Sequence, residues 1–276
     1  MSNNTIPLNT PNLVFQYMPP MLLIYGRNGI GKSFFASQFK NPVFLDLDKN
    51  IYELPVESNR SFGVEIESFI DVIDFLNRLI NEDHSYETIV IDSLSSLERL
   101  VEKHIVLMNN SNPKKNPVKS LADFQYGQGH QMMMPLWEQF LSKMMILRTK
   151  KKLNVLMLAH YKEKRDPNLT GDAYQQYQID LYEKAAKLLV NSCSAVLLAD
   201  YKVEVLHYKE KFGQDVPKAK GSERRLFTNE GVRFMAKNTY GMPYDIPMSY
   251  DVLADYVREH FLKLKETFNN SSTKGN

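Results

Sequence analysis

Apolar residues in this chain fall into two kinds of run. The first kind is short and unbroken: Met21-Leu22-Leu23-Ile24-Tyr25, Val43-Phe44-Leu45, Ile89-Val90-Ile91, Leu153 to Ala159, and Ala195 to Ala199. Each is bounded by polar or turn residues, as strands buried on both faces are. The second kind repeats at three- and four-residue intervals, as on one face of a helix. It runs over 66–80 through Phe69, Val72, Ile73, Phe75, Leu76, Leu79 and Ile80, and it predicts further helices over 94–108, 132–150 (with Trp137 and Phe140 as core anchors), 184–190 and 250–264. Residues 34–39 continue as a helix after the first strand. Strand and helix signals alternate, so the fold class is α/β, with a mainly parallel central sheet and helices on both faces. Near the C-terminus, 224–228 and 232–237 alternate around Asn229-Glu230-Gly231, which predicts an antiparallel hairpin at one edge.

Other stretches break both periods. Residues 1–19 are polar and read as an N-terminal arm with a short strand at Leu13-Val14-Phe15. Residues 51–65 read as loop, and 161–178 as a long polar loop. The stretch 202–222 is lysine-rich and poor in apolar residues. The tail 268–276 reads as disordered. One domain over 20–267 carries the rest.

The most specific chemical signal lies between the first strand and its helix. Gly26-Arg27-Asn28-Gly29-Ile30-Gly31-Lys32-Ser33 is G-x-x-x-x-G-K-S, the phosphate-cradling P-loop pattern, with Phe34 following. Its glycines let backbone N–H groups converge in a concave nest. Lys32 would then reach the β- and γ-phosphates of ATP, and the Ser33 hydroxyl would bind Mg²⁺. About sixty residues on, Ile89-Val90-Ile91-Asp92-Ser93 is a buried strand ending in a carboxylate, suited to hold Mg²⁺ directly or through water. Asp46 and Asp48 close the second strand, where acids face the phosphates; Asp48 would polarise the attacking water with Asp46 in support. His160 closes the fourth strand, where a sensor of the γ-phosphate would sit.

Two polar segments follow these strands. One carries Lys114, Lys115, Lys119 and Tyr126; the other carries Lys162, Lys164, Arg165, Tyr174 and Tyr177. Cations interleaved with tyrosines suit phosphate contacts and base stacking on single strands. Bulk composition adds little. The 276 residues carry a net charge of +2, far from a passive nucleic-acid binder, and the single cysteine, Cys193, excludes an internal disulfide and reads as a core residue. No apolar run approaches a membrane span and no signal peptide shows, which predicts a cytoplasmic protein.

The order of these parts resembles the RecA-like P-loop NTPase core, and more closely the phage RecA/RadA-like ATP-binding proteins of the Sak recombinase group. The matching residues are Gly26 to Ser33, Asp46-Leu47-Asp48, Ile89 to Ser93, Tyr126-Gly127, Leu158-Ala159-His160, and Ala236-Lys237-Asn238-Thr239-Tyr240-Gly241. The resemblance implies an oligomeric ATPase, ring or filament, that uses ATP and Mg²⁺ on single-stranded DNA in phage recombination or replication. A single-strand-binding protein is among the partners it implies. It gives Asp48 the place of a catalytic glutamate. It gives Lys237 the role of a cation reaching into a neighbouring subunit's site, although Thr239 stands where relatives carry an arginine; Arg224, Arg225 and Arg233 are nearby alternatives. It assigns DNA binding to 109–130 and 161–178. A helicase- or loader-type motor, a P-loop kinase and an ATP switch without a DNA role are the rival readings.

Overall fold

The structure, a computed structural model, describes residues 17–166, 174–209 and 215–273. The expected strand at Leu13-Val14-Phe15 lies outside them. In chain order the elements are β1 (Met21–Gly26), α1 (Lys32–Ser37), β2 (Pro42–Asp46), β3 (Glu57–Ser58), α2 (Phe69–Asn81), β4 (Thr88–Asp92), α3 (Leu94–Asn110) and α4 (Gln128–Thr149). There follow β5 (Asn154–Ala159), β6 (Tyr161–Asp166), β7 (Tyr174–Ile179), α5 (Glu183–Ser192), β8 (Ala195–Lys209), β9 (Asp215–Phe227), β10 (Lys237–Asn238), β11 (Asp245–Pro247) and α6 (Tyr250–Thr273).

The main sheet runs β11-β9-β8-β1-β5-β4-β2-β3, with β10 added beside β8. Its centre, β8-β1-β5-β4-β2-β3, is parallel, and β9, β10 and β11 are antiparallel. The unbroken apolar runs follow from burial on both sides. In β1, Met21, Leu23 and Tyr25 face a core built with α2, α3, α4 and α5, while Leu22 and Ile24 face a second core with α1 and α6. The order places β1, with the P-loop after it, directly beside β5 and one strand from β4. The C-terminal ends of β1, β2, β4 and β5 therefore open on one cleft, where open parallel sheets bind ligands.

Four expectations differ from what is observed. Residues 161–178 are not a loop throughout: β6 and β7 pair antiparallel as a separate two-stranded hairpin. Tyr161, Tyr177 and Ile179 share one face of it and pack on the core, which a composition dominated by Lys, Glu and Gln conceals. The C-terminal hairpin is antiparallel as expected but is built from other strands. The partner of β9 is β8, paired over Leu198–Lys209 with a register shift between Lys202 and Val203, so the lysine-rich stretch after 202 enters the strand. The expected turn at Asn229–Gly231 joins no hairpin; an isolated bridge, Gly231 with Phe234, closes a turn at Val232–Arg233 instead, and residues 224–227 belong to the long ladder with β8. Third, residues 51–65 hold the edge strand β3 and a 3₁₀ turn at Asn59–Phe62. Last, α6 continues to Thr273, so 268–273 are helical; Asn, Ser and Thr each cost only a few tenths of a kcal/mol in a helix, and no Gly or Pro intervenes before Gly275.

Candidate active site

The P-loop is built where β1 must pass close to β8. A Cβ on Gly26 would stand 2.3 Å from the Ala199 carbonyl oxygen, so a side chain there would force the two strands apart. Gly31 has φ 101°, a left-handed conformation natural to glycine, and it turns the chain into α1. Lys32 follows. Its Nζ donates to the carbonyls of Gly26 (2.9 Å) and Arg27 (3.0 Å), closing the loop on itself. Burial pushes its ammonium down to about 8, against the opposing pull of Asp92 and Asp48.

Ser33 and Asp92 meet as expected. The Ser33 hydroxyl donates to Asp92 Oδ2 at 2.5 Å, and burial raises the Asp92 carboxyl to about 6 in spite of that bond. A hydroxyl beside a buried, poorly solvated carboxylate is a hard oxygen pair that gains from a divalent cation, and Mg²⁺ uses such one-carboxylate sites together with substrate phosphates. Among the described residues no cluster of three or more His, Cys, Asp or Glu side chains is placed to hold a metal ion by itself.

Asp48 lies just beyond β2 and is tied down from two elements. Ser93, the N-cap of α3, and Ser96 in its first turn both donate to Oδ1, the Ser93 bond being 3.1 Å. His160, one residue after β5, bonds Oδ2 through Nε2 at 3.1 Å. Burial alone would raise the Asp48 carboxyl; the bonds from His160, Ser96 and Ser93 outweigh it and hold the group below the ordinary aspartate value. A carboxylate only accepts, so Nε2 of His160 carries the hydrogen and Nδ1 is left buried without a partner. His160 thus lines the cleft with Nε2 committed to Asp48. Asp46 does not support Asp48. Its oxygens accept from the Asn50 backbone and face Arg60 at 3.5 Å, so it braces the loop after β2.

Among the cleft residues that sequence reasoning missed are Ser96 and Arg99. Arg99 Nη2 donates to Ser96 Oγ at 2.5 Å. The signal was present as Ser93-x-x-Ser96-x-x-Arg99, a three-residue spacing that aligns side chains on a helix beginning directly after Asp92. Together these groups line a cleft of ≈ 920 Å³.

A glycine-turned loop, a lysine at its exit, a hydroxyl–carboxylate pair and a tethered second carboxylate form one phosphate-handling constellation. A family model described as AAA domain (AAA_24) matches residues 18–240, spanning it entirely. The chain belongs to the AAA domain family. No curated protein matches it. Among solved structures, "Crystal structure of the RadB recombinase" is similar at 12% identity, covering 80% of this chain and 92% of that chain with a TM-score of 0.39.

In this AAA domain the other candidate residues are spread more widely. Arg27 pairs with Asp200 at 3.1 Å, and Asn28, Gly29 and Phe34 line the cleft, while Ile30 is buried beneath it. Arg224 lies over its own subunit's P-loop: a Cβ on Gly31 would stand 2.7 Å from its Nη1. Arg225 is bound to Asp245 at 2.6 Å. Lys237 donates to the Val190 and Asn191 carbonyls at the end of α5. Lys114, Lys115 and Lys119 are exposed on the segment after α3, and Tyr126, with φ 54°, is 91% exposed. Lys162 is committed to the Leu181 carbonyl, and the Tyr177 ring packs on Tyr161 at 4.9 Å. Lys164 is exposed on β6. Arg165 and Tyr174 take part in the backbone pairing of β6 and β7.

The two shifted groups set a pH window for nucleotide binding. Asp92 is raised to about 6, so its carboxylate is lost as pH falls through that value. Lys32 is lowered to about 8, so its charge is lost as pH rises through that value. Affinity for Mg²⁺–nucleotide is expected to be greatest between these limits and to weaken up to tenfold per pH unit beyond them. Equilibrium titrations over about pH 5 to 9.5 check this, and a flat profile would contradict the site.

Proposed function

We propose that this AAA domain hydrolyses ATP with Mg²⁺ and uses the cycle to control its binding to single-stranded DNA. It does so as a cytoplasmic oligomer, in the phage recombination or replication setting that its sequence resemblance implies. Lys32 leaves the P-loop carbonyls to meet the β- and γ-phosphates. Ser33 and Asp92 hold the metal, which when bound neutralises phosphate charge. Asp48 orients the attacking water and accepts its proton. Lys237, released from the end of α5, is the candidate cation for a neighbouring site.

One observation carries the DNA part. The β6–β7 hairpin begins at the residue after His160, which bonds Asp48; Tyr161 lines the nucleotide cleft and stacks on Tyr177 in the opposite strand. Any shift of Asp48 on nucleotide binding is thus transmitted to the hairpin through His160 and Tyr161. The hairpin and the exposed Lys114–Lys119 segment are the proposed DNA contacts, with modest charge per subunit summed over the oligomer.

The test is ATP turnover with and without single-stranded DNA at low salt. The expected result is severalfold stimulation that fades as salt rises, because phosphate contacts release counterions. Steady basal turnover that ignores DNA would overturn the DNA coupling.

A further inference from the structure

Asp48 in this arrangement is a poor base. It carries three donors, and each stabilises the anion and lowers its appetite for a proton. Two of them come from the N-cap and first turn of α3, and the second, Ser96, is itself held by Arg99 at 2.5 Å. Donor chains of this kind strengthen along their length, since a hydroxyl that accepts from a cation donates more strongly onward. Arg99 thus tightens the grip on Asp48 without touching it.

Arg99 also differs from Lys32 and Arg27, two other cations of the cleft. Lys32 is folded onto two carbonyls, and Arg27 is paired with Asp200 at 3.1 Å. Arg99 lines the same cleft from α3, is exposed, and donates to a neutral hydroxyl. A guanidinium can bond a phosphate through two N–H groups at once and with opposite charge, which a single neutral hydroxyl does not offer. A phosphate entering beside Asp48 would therefore draw Arg99 from Ser96.

We propose that Arg99 reads the γ-phosphate within its own subunit, and that its transfer from Ser96 to that phosphate loosens Asp48 so that it can act as base. This rests on the ATPase reading above. ADP, lacking the third phosphate, leaves Arg99 on Ser96 and Asp48 restrained. With ATP, the attacking water's oxygen bonds to the γ-phosphorus as the bond from that phosphorus to the ADP oxygen breaks. The water's proton passes to Asp48 and then to the released phosphate or solvent. Arg99 balances the charge on the transferring group and returns to Ser96 when phosphate departs.

The test compares the parent with Arg99→Ala and Arg99→Lys. Two quantities are read: equilibrium affinities for ADP and for a β,γ-imido analogue of ATP, and single-turnover hydrolysis. Arg99 is exposed on a helix, so both variants are expected to fold. For Arg99→Ala the expected result is an ADP affinity within twofold of the parent, a preference for the ATP analogue over ADP reduced about tenfold, and hydrolysis slowed about 100-fold. Arg99→Lys restores part of both. Parental hydrolysis and parental analogue preference in Arg99→Ala would overturn the proposal alone. A parent protein that binds neither nucleotide would overturn the ATPase reading and this proposal with it.

Discussion

Lys32→Ala is expected to lower kcat/KM for ATP by roughly a thousandfold, the scale seen when a preorganised donor to developing phosphate charge is lost in a water-poor site. The side chain is buried, with two bonds to carbonyls within its own loop. Its removal frees those carbonyls to turn toward solvent in the cleft, so the fold is expected to survive. The loss falls on binding as well as chemistry, because Lys32 would contact phosphates in both ground and transition states. Steady-state kinetics with a thermal melt of the same sample check this. Turnover above about a tenth of the parent value, from folded protein, would remove Lys32 from the site.

The second large effect is expected at Asp48, and it divides differently between kcat and KM. Asp48→Asn keeps an oxygen to accept from Ser93 and Ser96, and its amide can donate to His160 once the imidazole hydrogen moves to Nδ1. The network persists but the base is gone. kcat is expected to fall about 100- to 1,000-fold, with KM within a few fold, since general-base removal is worth 10²–10⁴. Asp48→Ala is a poorer probe. It strands two hydroxyls and an imidazole in a partly buried pocket, at about 1–3 kcal/mol for each unpaired group. A kcat within about threefold of the parent for Asp48→Asn would assign the base elsewhere.

The core of this protein was legible because parallel strands buried on both faces need unbroken apolar runs. β1, β2, β4 and β5 all have them, and the P-loop marks where β1 ends and α1 begins. The site's poles, Lys32, Ser33, Asp48 and Asp92, were legible for the same reason: they sit at strand ends and loop exits that those runs mark. The β6–β7 hairpin was not, because its inward face is made of Tyr161, Tyr177 and Ile179 separated by lysine, glutamate and glutamine. Nor was the pairing of β9 with β8. A hairpin turn at Asn229–Gly231 is a local signal, and a long ladder between distant residues leaves no local trace. His160 was placed at the right strand end, but its bond to Asp48 depends on two strands from opposite parts of the chain. Ser96 and Arg99 escaped notice because polar residues in the first turns of a helix after a strand-end carboxylate look like ordinary helix positions.

The two ends of the main sheet bear on how copies of this protein can meet. At one end stands β3, only two residues long; at the other stands β11, three residues closing on Pro247, which has no N–H to offer. Short edges and proline are the devices by which sheets refuse further strands. A neighbouring copy finds no ladder to continue at β3 or at β11. A ring or filament joined at these two ends would have to be held by side chains docking face to face. That leaves each contact free to loosen and re-form as the cleft fills and empties.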